Sequence, residues 1–170
     1  VLDSARLKEA LGAHLDVDPR NVHAYIIGEH GDSELAVWSS ANVSGVPLSD
    51  FCEMRGHYDH LASEKKIADD VKNAAYNIIS KKHATYYGIA MSVRRLCTAI
   101  MRDEKHILPV SSLMVGEYGL DDICISMPTI VGRDGVECRV PVSLSNEEYA
   151  ELHRSADALK DVMSNVDFEA

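Results

Sequence analysis

A chain of 170 residues, 46% of them apolar, is long enough to close one hydrophobic core and has the composition of an ordinary globular domain. Its 27 acidic residues against 17 basic ones leave a net charge of −10, which argues against nucleic acid or an anionic membrane as a partner. No apolar run reaches the ~18 residues of a membrane span, and no basic-then-apolar leader precedes the first helical pattern, so one cytoplasmic domain over residues 1–170 is expected.

Taken in chain order, Leu2-Asp3-Ser4-Ala5-Arg6-Leu7 opens a helix in which Asp3 and Arg6, three residues apart, share a face. Val22–Ile27 is rich in β-branched and aromatic residues and reads as a strand stopped by Gly28. Leu35–Ser40 and Val43–Leu48 read as short strands around a turn, with Asn42 and Gly45 nearby. From Ala62 the positions Ile67, Val71, Ala74, Ala75 and Ile78 mark a long amphipathic helix. Lys81-Lys82-His83 reads as a break, followed by a second helix with Ile89, Val93, Leu96, Cys97 and Ile100 on one face. Ile107–Gly116 and Ile123–Val131 read as strands, and Arg133-Asp134-Gly135 turns the chain into Val136–Val142 as a hairpin. Ser145-x-x-Glu148 is a capping box for a last helix with the stripe Tyr149, Leu152, Ala156, Leu159 and Val162. The class expected is α+β, antiparallel sheets packed with long helices.

The chemistry concentrates at Gly28-Glu29-His30-Gly31-Asp32-Ser33. A histidine just past a strand end, between glycines that let the backbone turn tightly, is placed to meet a small ligand, and imidazole exchanges protons near neutrality. The plain alternative is a histidine that hydrogen-bonds its own turn. Asp3 and Arg6 read either as a surface ion pair or as an imidazole-orienting carboxylate beside a guanidinium fork for an anion. Together, Asp3, Arg6 and His30 make the general acid, orienter and anion clamp that reduction of a 2-oxo acid needs. Cys52, His57, Asp59 and His60 match no zinc spacing, so no metal is expected, and the four cysteines, which contain no Cys-x-x-Cys pair, read as reduced thiols. Thr85 and Ile89 by themselves read as helix capping and packing, and Trp38 as core.

Leu2-Asp3-Ser4-Ala5-Arg6 followed by Asn21-Val22-His23-Ala24-Tyr25-Ile26-Ile27-Gly28-Glu29-His30-Gly31-Asp32-Ser33 closely resembles bacterial L-lactate dehydrogenases, within the lactate/malate dehydrogenase superfamily. The likeness continues at Pro47-Leu48 and Ala84-Thr85-Tyr86-Tyr87-Gly88-Ile89-Ala90, and Glu29 and Trp38 look more like the lactate branch than the malate branch. It implies the C-terminal, substrate-binding half of such an enzyme, inactive by itself. The NAD-holding Rossmann domain, and the loop arginine that polarises the substrate carbonyl, would belong to an N-terminal half. No Gly-x-Gly-x-x-Gly occurs in these 170 residues. It also implies His30 as proton donor and acceptor, Asp3 as its orienting carboxylate, and Arg6 as clamp for the carboxylate of pyruvate or lactate. Thr85 would line the pocket near the substrate methyl, and Ile89 would pack on the nicotinamide. Lys8 and His23 are implied as receivers of fructose 1,6-bisphosphate between subunits of a homo-oligomer, dimer or tetramer. Two other readings stand beside this one: the corresponding half of a malate dehydrogenase, or a domain that only oligomerises.

Overall fold

The computed structural model describes residues 1–166. Helix α1 (Leu2–Leu15) leads into strand β1 (Val22–Ile27), which pairs antiparallel with β2 (Leu35–Val43), itself paired with the two-residue β3 (Val46–Pro47). Three helices follow: α2 (Leu48–Met54), α3 (His60–Lys82) and α4 (Tyr87–Met101). A second antiparallel sheet takes β4 (His106–Val115), β5 (Asp121–Gly132) and β6 (Gly135–Arg139) in that order, and α5 (Asn146–Ser164) closes the described chain. Over the described residues the protein is α+β, with antiparallel sheets and five α-helices.

Strand β1 is the hinge of the packing. Its Val22, Ala24 and Ile26 enter one core with Leu7, Leu11 and Leu15 of α1 and Ile67 and Val71 of α3. Ile27 enters a second core with Val37, Ile123, Ile125, Met127, Leu152 and Ala156. Along β1 the buried Val22, Ala24 and Ile26 alternate with the exposed His23 and half-buried Tyr25, and burial becomes continuous only at Ile26–Ile27. The two sheets are joined at the end of β1, where Gly28 and Ser126 exchange backbone hydrogen bonds of 3.0 and 2.9 Å.

Several elements differ from what periodicity predicts. The strand expected at Leu35–Ser40 runs on to Val43, and the turn falls at Ser44 and Gly45, both with positive φ. Pro47 has no N–H to continue a ladder, so β3 ends there and Leu48 is the first residue of α2, not the last of a strand. Helix α3 begins at His60, two residues before Ala62, with the Asp59 side chain accepting from Ala62 N–H. The break after Lys82 is as expected, with His83 in the left-handed region at φ 62°. Strand β6 stops at Arg139, short of Val142. On α4 the apolar face exists, but Ile89, Val93 and Ile100 are exposed and only Ala99 is buried. In α5 Leu152 and Ala156 are fully buried, whereas Tyr149 and Val162 are exposed.

The predicted capping box at the start of α5 is present, and its glutamate does more than cap. Glu148 is 6% exposed; one carboxylate oxygen accepts the N–H groups of Trp38 and Ser39 at 2.7 and 2.9 Å, the other the Ser145 N–H at 2.8 Å and the Ser39 hydroxyl. One buried carboxylate thus ties α5 to the middle of β2. Glu148→Ala leaves those donors unsatisfied and is expected to destabilise the fold by about 3 kcal/mol, measured by denaturant unfolding. A change below 0.5 kcal/mol would show that the tie carries no net stability.

Candidate active site

Helix α1 is registered against β1 by the residue next to Asp3. The Ser4 hydroxyl accepts from Ile26 N–H at 2.9 Å and donates to the Ile26 carbonyl at 3.3 Å, with the side chain buried. That fixes the first turn of α1 beside the end of β1 and turns Asp3 toward the loop after it. The loop itself is held from α5: Glu29 N–H donates to the Ser155 hydroxyl at 2.8 Å, and the Glu29 carboxylate accepts from the backbone and hydroxyl of Ser33. Gly28 has φ +93°, and a Cβ there would lie 2.7 Å from the Ser155 oxygen, so both its backbone conformation and its contact call for glycine.

The result is a three-residue constellation. Asp3 Oδ1 accepts from Arg6 Nη1 at 2.7 Å, and Asp3 Oδ2 lies 3.1 Å from His30 Nδ1. Asp3 is nearly buried, with 12% of its side chain accessible, while the His30 ring is 83% accessible. The carboxylate takes the Nδ1 side of the ring and leaves Nε2 facing outward, the arrangement of an imidazole set up to exchange a proton through Nε2. Among the described residues Arg6 makes no other hydrogen bond, so most of its fork remains available to an anion.

Two cavities meet here. One, of about 340 Å³, is lined by Asp3, His30, Glu34, Ile89, Val93 and Ser126; the other, of about 270 Å³, by Arg6, Thr85 and Ile89. The structure therefore gathers Asp3, Arg6, His30, Thr85 and Ile89, which the chain keeps up to 86 residues apart, with Ile89 bordering both spaces. Glu34 and Ser155 were not singled out by the sequence. Ser155 lies 126 residues from the backbone it holds, and no local pattern links them. The clue to Glu34 was weak: a glutamate just before an apolar strand, four residues beyond the histidine.

Glu34 is the electrostatic anomaly of the site. Burial, and then the neighbouring Asp3 carboxylate, raise its pKa from the ordinary 4.5 to about 7, against smaller opposing effects of Arg6 and Lys72. One donor atom each from Asp3, His30 and Glu34 lie within 4.8 Å of one another. Cys52, His57, Asp59 and His60 form no such group among the described residues: His57 stacks on His14 with centroids 4.2 Å apart, His60 faces Glu53, and Cys52 is in the first core.

Lys8 and His23 meet elsewhere. Both line a cavity of about 760 Å³ together with Arg20, Tyr25, Lys105 and His106. Lys8 Nζ lies 5.5 Å from the Tyr25 ring centroid, and burial lowers its pKa. His23 is exposed. Arg20 is taken by Asp18, and Lys105 by Asp103 and Glu137.

Residues 1–169 match the family model of the lactate/malate dehydrogenase alpha/beta C-terminal domain. The chain is 50% identical over 167 residues to an L-lactate dehydrogenase of Acetivibrio thermocellus, covering 98% of this chain and 53% of that protein. Over 163 residues it is 48% identical to one of Bacillus velezensis, covering 96% and 51%. The fold superimposes with a TM-score of 0.92 on the ligand-bound crystal structure of a minor L-lactate dehydrogenase of Enterococcus mundtii, at 45% identity, covering 99% of this chain and 53% of that one. The chain spans about half the length of the curated relatives it matches.

The raised pKa of Glu34 gives a stability test. A carboxyl that binds its proton more tightly when folded favours the native state below its unfolded value, and that contribution is lost as pH rises through the folded value. Relative to Glu34→Gln, the wild-type protein is expected to lose stability between about pH 4.5 and 7 and to hold a constant difference above. Thermal melts at stepped pH measure it, and a flat difference across that window would contradict the assignment.

Proposed function

Since the chain belongs to the lactate/malate dehydrogenase family through its alpha/beta C-terminal domain, we propose that it is the substrate-binding and acid–base half of an NAD-dependent L-lactate dehydrogenase. The observation that carries the reading is the Asp3 carboxylate shared between Arg6 and His30 beside two cavities of small-molecule size. The named relatives cited above are all lactate rather than malate enzymes, which favours that branch.

In this reading Arg6 grips the pyruvate carboxylate with its free guanidinium nitrogens in a bidentate fork. His30, protonated, turns Nε2 to the ketone oxygen and passes its proton there as the carbonyl carbon is reduced. Asp3 holds the opposite ring nitrogen and stabilises the charged imidazole until the transfer. In reverse, neutral His30 takes the hydroxyl proton of lactate. Thr85 closes the pocket near the substrate methyl.

NAD supplies the hydride when bound. The residues present suit its nicotinamide end, since the exposed Ile89 and Val93 offer an apolar wall to a flat ring beside His30. They do not suit its pyrophosphate, because both sheets are antiparallel and no strand–glycine loop–helix unit occurs among the described residues. A separate Rossmann half is therefore part of the proposal, and the exposed apolar side chains of α4 suit burial against another domain or subunit of a homo-oligomer. No helix among the described residues is long and apolar enough to cross a membrane, which accords with a cytoplasmic enzyme. Lys8 and His23 would receive one phosphate of fructose 1,6-bisphosphate, with Lys8 about 200° around α1 from Arg6 and so facing away from the substrate.

In the full-length enzyme His30→Asn is expected to lower kcat by about 10²–10⁴-fold with pyruvate binding retained, while Arg6→Lys mainly raises KM. Wild-type kcat in His30→Asn would sink the acid–base role. The chain by itself should not oxidise NADH with pyruvate. At subsaturating pyruvate the sugar bisphosphate is expected to activate, and Lys8→Ala with His23→Gln to abolish that response. Activation that survives the double change would remove this site.

A further inference from the structure

Glu34 has a position in the site that the proposed reaction leaves unused. It stands at the end of the loop that carries His30, its N–H bonded to the Gly31 carbonyl at 3.3 Å, and its side chain lines the cavity shared by Asp3 and His30. Among the described residues no hydrogen bond and no ion pair reaches its carboxyl. The neighbouring polar groups have hydrogen-bond partners of their own. Asp3 serves Arg6 and His30, Glu29 is held by Ser33, and the Lys72 ammonium of α3 donates to the Asp32 carbonyl. Arg6 and Lys72 offset part of the rise in the Glu34 pKa, and the cluster also sets an imidazole nitrogen of His30 within 4.8 Å of the Glu34 carboxylate.

Resting on the proposed reaction, we infer that Glu34 is a positioning residue for His30: its ionised carboxylate holds the imidazolium in place and sets the pH at which that proton is given up. The physics is a charge balance. With Asp3 shared between Arg6 and His30, a second carboxylate beside the ring adds one negative charge that a protonated imidazole is placed to neutralise. Ionisation of Glu34 and retention of the His30 proton therefore support one another. Loss of the proton to substrate leaves Asp3 and Glu34 facing a neutral ring, which favours protonation of Glu34 in turn. Because burial and Asp3 bring Glu34 into the neutral range, the exchange falls where the enzyme works. A unit charge about 5 Å from another in a half-solvated setting is worth about one pH unit.

The test uses the full-length enzyme as wild type, Glu34→Gln and Glu34→Ser, the second guarding against misfolding of the first. Two readouts are taken from pH 6 to 9: kcat/KM for pyruvate, and the rate at which diethyl pyrocarbonate modifies His30, followed by peptide mass spectrometry. The reagent attacks neutral imidazole and needs no turnover. The expected result is that both midpoints move down by about one pH unit in the two neutral variants, so that the wild-type advantage in kcat/KM grows about tenfold between pH 6 and 8.5. Midpoints that coincide with wild type overturn the proposal, as does a uniform loss of activity at every pH, which would mark Glu34 as merely structural. If the enzyme does not turn over pyruvate while the His30 modification midpoint still moves, the reaction reading fails and the Glu34–His30 coupling stands.

Discussion

The two hydrogen bonds exchanged by Gly28 and Ser126 are the constraint on which the site depends. They are the only ladder contact between the two sheets among the described residues, and they fall one residue before Glu29 and two before His30. On one side of that joint Ser4 locks α1 to Ile26; on the other Ser155 locks α5 to Glu29. Three elements from the start, middle and end of the chain are thus referenced to one backbone point. A separation such as the 3.1 Å between Asp3 and His30 is reproducible only when the backbones carrying both partners are held this way, because each lost tie lets a helix slide by more than hydrogen-bonding tolerance. The α5 tie is economical in that Ser155 is fully buried and its hydroxyl also lies 3.2 Å from that of Ser33.

Charge is arranged with similar economy. A nearly buried aspartate would be costly alone, yet Asp3 divides its two oxygens between a guanidinium and an imidazole and sits in the first turn of α1, where the helix dipole favours a negative charge. Glu148 answers the same problem with three backbone N–H groups and a hydroxyl. Glu34 has neither kind of partner, and burial, with the Asp3 charge beside it, raises its proton affinity.

Much of this architecture was legible in the residues themselves. The Leu2–Leu7 opening, the apolar run Val22–Ile27 and the Ser145/Glu148 box encode their elements locally, and each element appears. Helix α2 was not legible because seven residues carry too few turns to show a period, and its start depends on Pro47 ending a ladder. The α4 pattern stated correctly which face is apolar, but periodicity says nothing of what covers a face, and here the rest of the described chain does not. In the site, Asp3, Arg6 and His30 stood out by chemical type. Glu34 and Ser155 did not, since their roles come from contacts that exist only once β1, β5 and α5 have met.

The same two elements border both the substrate-side cavity and the basic one. Helix α1 presents Asp3 and Arg6 to the first and Lys8 to the second, and β1 has His23 near one end and leads into His30 at the other. An anion gripped by Lys8 and His23 would therefore add a second tie between α1 and β1, beyond the one Ser4 already makes with Ile26. That tie would join the packing of Leu7, Leu11 and Leu15, which already seats α1 on β1 and α3. Since Asp3 lies on α1 and His30 follows β1, the distance between them depends on how α1 is seated on β1. Coupling between two such sites would need a ligand that binds one seating of α1 on β1 better than another.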